Sequence, residues 1–276
     1  MIARSNRIAL LAVPGLAFLA IIYALPLFLL LFKSIQGAEG LTLASYIDFF
    51  GDEFNRTVLW RTLRVALLTT LLALVIAYPT AFAMARAKGI WLTVFLVALV
   101  LPMSLGVIVK AFAWSILFRS NGFINTTLQA IGITDEPVRM LFTETALVIG
   151  AANVFLPFMV LPIYSVIRQL NKSLPEAASS LGATPWFRFT RVTLPLSLPG
   201  VVAGSAFTFS LAISMYVIPS LIVGERQQTL SMLIARSFLY LRNEPLGSTI
   251  SAVLLAIAIF VVLFSSWLAG RLGARQ

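Results

Sequence analysis

Six runs of mainly apolar residues, at roughly 8–32, 58–85, 90–118, 143–167, 197–223 and 247–270, occupy most of this chain of 276 residues. Each is long enough to cross a hydrocarbon core, which takes about 20 residues of α-helix. In lipid every backbone N–H and C=O must be bonded within its own segment, so runs of this length form helices rather than loops or open strands. Composition points the same way: 60% of the chain is hydrophobic and 11% charged, against roughly 45–50% and 25% in soluble domains. A single core cannot bury that much apolar surface, and the bilayer is the solvent that accommodates it. The expectation is an all-α membrane protein with six transmembrane helices and one domain over 1–276.

The start of the chain, Met1 to Arg7 and then an apolar run, also has the form of a signal peptide. Its apolar part is about 25 residues, against the 7–15 of a signal h-region, and no clear small-x-small cleavage site follows, so it reads as a retained first helix. Six spans put both termini on one side. That side carries Arg4, Arg7, Arg86, Lys88, Arg168, Lys172, Arg188, Arg191, Arg271 and Arg275. The loops of the other side carry almost as many basic residues on a longer stretch of chain, so density of positive charge places both termini in the cytoplasm.

The net charge of +10 also raises nucleic acid as a partner. That function needs a basic patch on a water-soluble face, and here the basic residues are scattered between apolar runs. The chain has no Cys and no His. Disulfides, thiol nucleophiles, His-based triads and the usual zinc sites are therefore excluded, and no metal site is expected.

The stretch 171–196 is not built like an idle linker. Ser173 is a fair N-cap, with Pro175 and Glu176 in the first turn, and Glu176 sits near the positive end of the helix dipole. Ala177, Ala178 and Leu181 make a slim helical surface, and Gly182 supplies the stop. After Pro185 a second stretch carries Trp186, Phe187 and Phe189 among Arg188 and Arg191. Pro195 and Pro199 bracket the return to the membrane. On physical grounds two readings stand side by side: an interfacial helix lying on lipid headgroups, or a short helix that fits a groove of another protein.

The segment resembles the EAA loop of ABC importer permeases, whose pattern is Glu-Ala-Ala, three residues, Gly, nine residues, Ile-x-Leu-Pro. The matching positions are Glu176, Ala177, Ala178, Gly182, Val192, Leu194 and Pro195, with Val in place of Ile as the one departure. Tyr78 to Arg86 is similar to the end of an early span in such permeases. Asn121 to Asn125, Asp135 to Thr143 and Leu156 to Ser165 resemble the spermidine/putrescine branch. The resemblance implies a type I ABC importer permease fold with a cytoplasmic coupling helix between helices 4 and 5. Glu176, Ala177, Ala178, Leu181, Gly182 and Pro195 would then form the ATPase-coupling site. It also implies the partners: a second, homologous permease, two copies of an ATPase, and a periplasmic or lipid-anchored solute-binding protein, in a bacterial inner membrane. No Gly-x4-Gly-Lys-Ser/Thr loop is present, so ATP and Mg belong to the ATPase and this chain binds no cofactor.

Candidates for the pathway or its gate are Lys110, Trp114, Asn153, Tyr164 and Tyr216. A charge at the depth of Lys110 is costly and marks function by default, although it can also snorkel or pair with a carbonyl. Aromatic faces hold ammonium groups, yet aromatics in spans also serve as packing and interfacial anchors. Pro79, Pro102, Pro157, Pro162 and Pro219 are either kinks packed by neighbours or bends around a pathway. The branch implies polyamines as cargo, while similar permeases serve iron, phosphonates, opines and amino-acid-like solutes. Two rivals fail on residues. A secondary transporter calls for intramembrane carboxylates or an inverted repeat, and an intramembrane enzyme lacking His and Cys calls for a Ser–Lys or carboxylate site.

Overall fold

The computed structural model describes residues 2–37, 40–171 and 173–273; Lys172 and Arg275, two of the basic residues assigned to the cytoplasmic side, lie outside them. The described residues form thirteen α-helices: α1 (Ile2–Ser34), α2 (Ala44–Gly51), α3 (Glu53–Arg86), α4 (Ile90–Ser104), α5 (Val107–Leu117), α6 (Phe123–Ala130), α7 (Glu144–Gln169), α8 (Ser173–Ser180), α9 (Pro185–Arg188), α10 (Leu194–Ser214), α11 (Val217–Ile222), α12 (Leu230–Leu239) and α13 (Glu244–Gly273). The only strand pairing among the described residues is a two-residue antiparallel bridge, β1 (Gln36–Gly37) with β2 (Gly40–Leu41). Among the described residues five helices are long and apolar enough to cross a membrane: the Val13–Ser34 part of α1, α3, α7, the stretch Pro185–Ser214, and the Glu244–Arg271 part of α13.

The third expected span differs from a simple rod. The run 90–118 is two helices, α4 and α5, bent by 100° at a short break. Pro102 cannot donate a helical hydrogen bond, and Leu105 and Gly106 adopt extended conformations where the first helix ends and the second begins. The expected span 197–223 is likewise interrupted. Its helix ends at Ser214 and resumes as α11 after Met215 and Tyr216. Pro79, Pro157 and Pro162, in contrast, lie inside unbroken helices, packed as neighbours permit.

The chain divides into two compact units, Met1–Arg56 with Leu233–Leu255, and Thr57–Met232 with Ala256–Gln276. In the first, Ser34 is buried and its hydroxyl meets that of Tyr46 at 2.8 Å. Lys33 is ion-paired with Glu244. Asp52 accepts from the N–H groups of Phe54 and Asn55, capping the start of α3. From Val13 to Lys33, no residue of α1 is buried inside the chain.

The second unit holds the two apolar cores. One gathers Val65, Leu147, Ala151, Ile213, Ile218 and Ile222. The other gathers Ala77, Met84, Met159, Val160 and Ile163. Helices α7 and α10 pack along much of their length. Gly200 and Gly204 explain how they approach so closely. A Cβ at Gly200 would lie 3.0 Å from the Pro162 carbonyl oxygen, and one at Gly204 would lie 3.0 Å from that of Met159. Small residues four apart are the usual means by which membrane helices bring their backbones together.

Candidate functional site

Helix α8 has both ends closed by its own sequence. The side chain of Asn171 accepts from Ser173 N–H at 3.0 Å. Asn171 therefore does the capping expected of Ser173, which is itself the first helical residue. At the other end Gly182 has φ +80°, in the left-handed region. Gly182 N–H donates to the Ser179 carbonyl at 2.9 Å and Ala183 N–H to that of Ala178 at 3.0 Å. This pair of bonds satisfies the last carbonyls of a helix and needs a residue free to take positive φ.

Glu176 and Ala177 are exposed and Ala178 is half-buried. Leu181 is 89% exposed and Trp186 73%. Two large apolar side chains thus stand in the open on either side of the Gly182 turn. A single exposed leucine needs no explanation, but an exposed cluster beside a well-closed helix marks an interaction surface.

Residues 184–193, just past the turn, tie this surface to the membrane helices. Thr184 caps α9 through the N–H of Phe187, with Pro185 at the first helical position. Arg188 donates to the Ser179 hydroxyl at 2.5 Å, joining α9 to α8. Residues Phe189–Thr193 form a π-helical turn that leads directly into α10. Pro195 has no N–H to offer the Arg191 carbonyl, and a locally widened helix absorbs that mismatch. The chain from Pro185 to Ser214 is consequently one helical run. The prolines expected to bracket a re-entry, Pro195 and Pro199, sit inside it instead.

Phe189 is the hub of the contacts between this run and α3. Its ring packs edge-on against Tyr78 at 5.9 Å and Phe82 at 5.6 Å, and it also meets Trp186 at 5.8 Å. Arg86 lies over the Phe82 ring at 3.9 Å, and Tyr78 bonds the buried Ser197 hydroxyl at 2.9 Å. Arg188 thus ties α8 to the helical run that continues into α10, and that run meets α3 through edge-on rings. In sequence Phe189 is only one member of an amphipathic stretch. Its meeting with Tyr78 and Phe82 is a tertiary fact with no local signal, whereas the small-residue pattern Gly200-x3-Gly204 is a signal that sequence does carry.

The five pathway candidates do not form one cluster among the described residues. Trp114 donates from its indole nitrogen to Asn153 Oδ1 at 3.1 Å, and its ring stacks on Phe118 at 5.0 Å. Tyr164, buried in the second core, accepts from Arg168 at 2.5 Å. Tyr216 stands at the break between α10 and α11. Lys110, half-buried in α5, makes no ion pair among the described residues. No group of three or more metal-ligating side chains occurs among the described residues.

Asn125 shows what part of the resembling stretches does. It is fully buried in α6, donates to the carbonyls of Arg119 and Val138 at 3.0 Å, and accepts from Val138 N–H at 2.8 Å. One side chain thus fastens two loop segments that lie apart in the sequence.

With this geometry in view, the comparisons with known proteins are consistent. The family of binding-protein-dependent transport system inner membrane components matches residues 3–276. The spermidine/putrescine transport system permease protein PotB of Haemophilus influenzae is 35% identical over 224 residues, covering 80% of this chain and 78% of that protein. PotB of Escherichia coli K12 is 34% identical over 221 residues, covering 80% of each. Among solved structures, a bacterial alginate ABC transporter in complex with an alginate pentasaccharide-bound periplasmic protein superposes with a TM-score of 0.79 at 19% identity, over 98% of this chain and 96% of that chain.

Proposed function

The chain belongs to the family of binding-protein-dependent transport system inner membrane components, and from that premise we propose that it is the half of an ABC importer pathway that carries polyamines such as spermidine and putrescine. It is a transport subunit and not an enzyme. The whole of 1–276 acts as one permease domain, paired in the membrane with a second, homologous permease. Two ATPase copies bind ATP and Mg on the cytoplasmic side, where both termini lie. A solute-binding protein delivers cargo from the opposite face; the periplasmic protein bound to the alginate transporter supports that partner.

The observation that carries the mechanism is α8 with the turn and α9 that follow it: together they present Glu176, Leu181 and Trp186 outward, and α9 runs on into α10. A groove in the ATPase receives this knob, and closure of the ATPase pair moves it. Burying Leu181 and Trp186 in that groove contributes roughly 1.5–3 kcal/mol for each side chain of this size. Tight packing also makes the helix follow the ATPase instead of sliding over it. Polyamine cargo is supported by the permeases of spermidine/putrescine systems among the relatives.

The test is uptake of labelled spermidine by proteoliposomes containing the permeases and the ATPase, with the binding protein outside. Uptake that needs ATP, is blocked by vanadate and is displaced by excess putrescine is the expected outcome. ATP-driven uptake of another solute that spermidine cannot displace overturns the cargo. Normal uptake by Glu176→Ala and Leu181→Asp overturns the coupling site.

A further inference from the structure

At the far end of α3 and α7 from the coupling loop, Arg64 meets Glu144 in a two-pronged ion pair. Nε lies 2.7 Å from one carboxylate oxygen and an Nη 2.5 Å from the other. The pair heads a groove of about 570 Å³ walled by Leu68, Leu71, Leu72, Val75, Val148 and Ile149. Leu71 and Val75 remain 49% and 71% exposed. The groove is apolar along its length and charged at one end only.

Its position along the helix is informative. Arg64 and Arg86 lie 22 residues apart on α3, which at 1.5 Å per residue is about 33 Å, close to the thickness of the hydrocarbon core. Arg64 thus sits at the boundary between headgroups and chains. From Arg64 to Val75 the groove descends about 16 Å, roughly half of that thickness and so the depth of one leaflet.

We propose that this groove is a binding site for one aminophospholipid of the leaflet opposite the 171–196 loop, its zwitterionic head set against the Arg64–Glu144 pair and one acyl chain lying along Leu68, Leu71 and Val75. The charges are complementary in sequence and sign. The second Nη of Arg64, free of Glu144, donates to the lipid phosphate, and the lipid ammonium donates to the Glu144 carboxylate. A quaternary headgroup has no N–H to donate to Glu144, and an anionic headgroup without an amine meets its carboxylate unfavourably. The inference rests on membrane embedding alone and is independent of the cargo.

The experiment is native mass spectrometry of the chain extracted with its co-purifying subunits, equilibrated with phosphatidylethanolamine against phosphatidylcholine or phosphatidylglycerol. Retention of phosphatidylethanolamine is expected to exceed that of the other two roughly tenfold, the factor for about 1.4 kcal/mol of headgroup contact. Glu144→Gln should abolish the preference. Leu71→Trp, which fills the groove and leaves both charges in place, should abolish retention while the melting temperature stays unchanged. Equal retention of the three lipids, preference for phosphatidylglycerol, or unaltered retention in Leu71→Trp overturns the proposal. So does efficient cross-linking of a single cysteine at Leu71→Cys to a partner subunit, because protein would then cover the groove.

Discussion

Replacing Gly182 by Ala isolates backbone conformation from sterics at the turn that ends α8. Gly182 holds φ +80°, and a Cβ there meets nothing within 4 Å of the chain. The substitution therefore creates no clash inside the protein. What it does impose is the left-handed penalty of an L-residue, roughly 1–2 kcal/mol. If the turn must be formed for α8 to seat in the ATPase, that penalty lowers the seated population by about 5- to 30-fold. Gly182→Asn is the informative partner, since Asn tolerates this conformation. Binding-protein-stimulated ATP hydrolysis and uptake, measured in proteoliposomes at matched permease content, should fall in the order Gly, Asn, Ala. Equal defects in Asn and Ala would refute the reasoning. They would place the requirement in the space a partner leaves at Gly182 and remove it from the φ angle.

Three further outcomes rest on named contacts. Phe189→Ala removes three ring contacts worth about 0.5–1.5 kcal/mol each, so ATP hydrolysis should persist while uptake per ATP drops; an unchanged ratio would take the rings out of the transmission path. Asn125→Ala removes the side-chain partner of the Val138 N–H and carbonyl and one of the two donors to the Arg119 carbonyl, at about 0.5–1.5 kcal/mol for each lost bond, and should lower the melting temperature in detergent. Asn125→Asp should not rescue it, because a carboxylate cannot donate to the carbonyls of Arg119 and Val138. Lys110→Met breaks no ion pair among the described residues and should leave the melting temperature unchanged while altering uptake. Wild-type uptake would remove Lys110 from the pathway.

The membrane class and the short helix with its Gly182 turn are legible in the sequence because both are local properties. A run of about 20 apolar residues has no alternative to helix in lipid. A left-handed glycine behind a short alanine-rich helix ends it whatever lies nearby. Even the capping side chain, Asn171 in place of Ser173, differs from expectation by two positions only. The breaks at Leu105–Gly106 and Met215–Tyr216 are harder to read, since Pro102 and Pro219 have the same form in sequence as Pro79, Pro157 and Pro162. Whether a proline bends or is absorbed depends on the neighbours that pack against it.

Residues 171–196, with their pattern from Glu176 to Pro195, together with the long apolar runs, by themselves determined that this chain is an integral membrane subunit with a short, glycine-stopped helix between two of its spans and no phosphate loop of its own. Only the tertiary structure decided how that helix is joined to the rest, and where the expected pathway residues go. Phe189 finds Tyr78 and Phe82 across more than a hundred residues of chain, Trp114 finds Asn153, and Arg64 finds Glu144. Periodicity and spacing report the face a residue presents; they carry no information about which other helix will lie against that face. That choice is made by side-chain packing and by close approach at residues such as Gly200 and Gly204, where the space between two backbones exists only once both helices are in place.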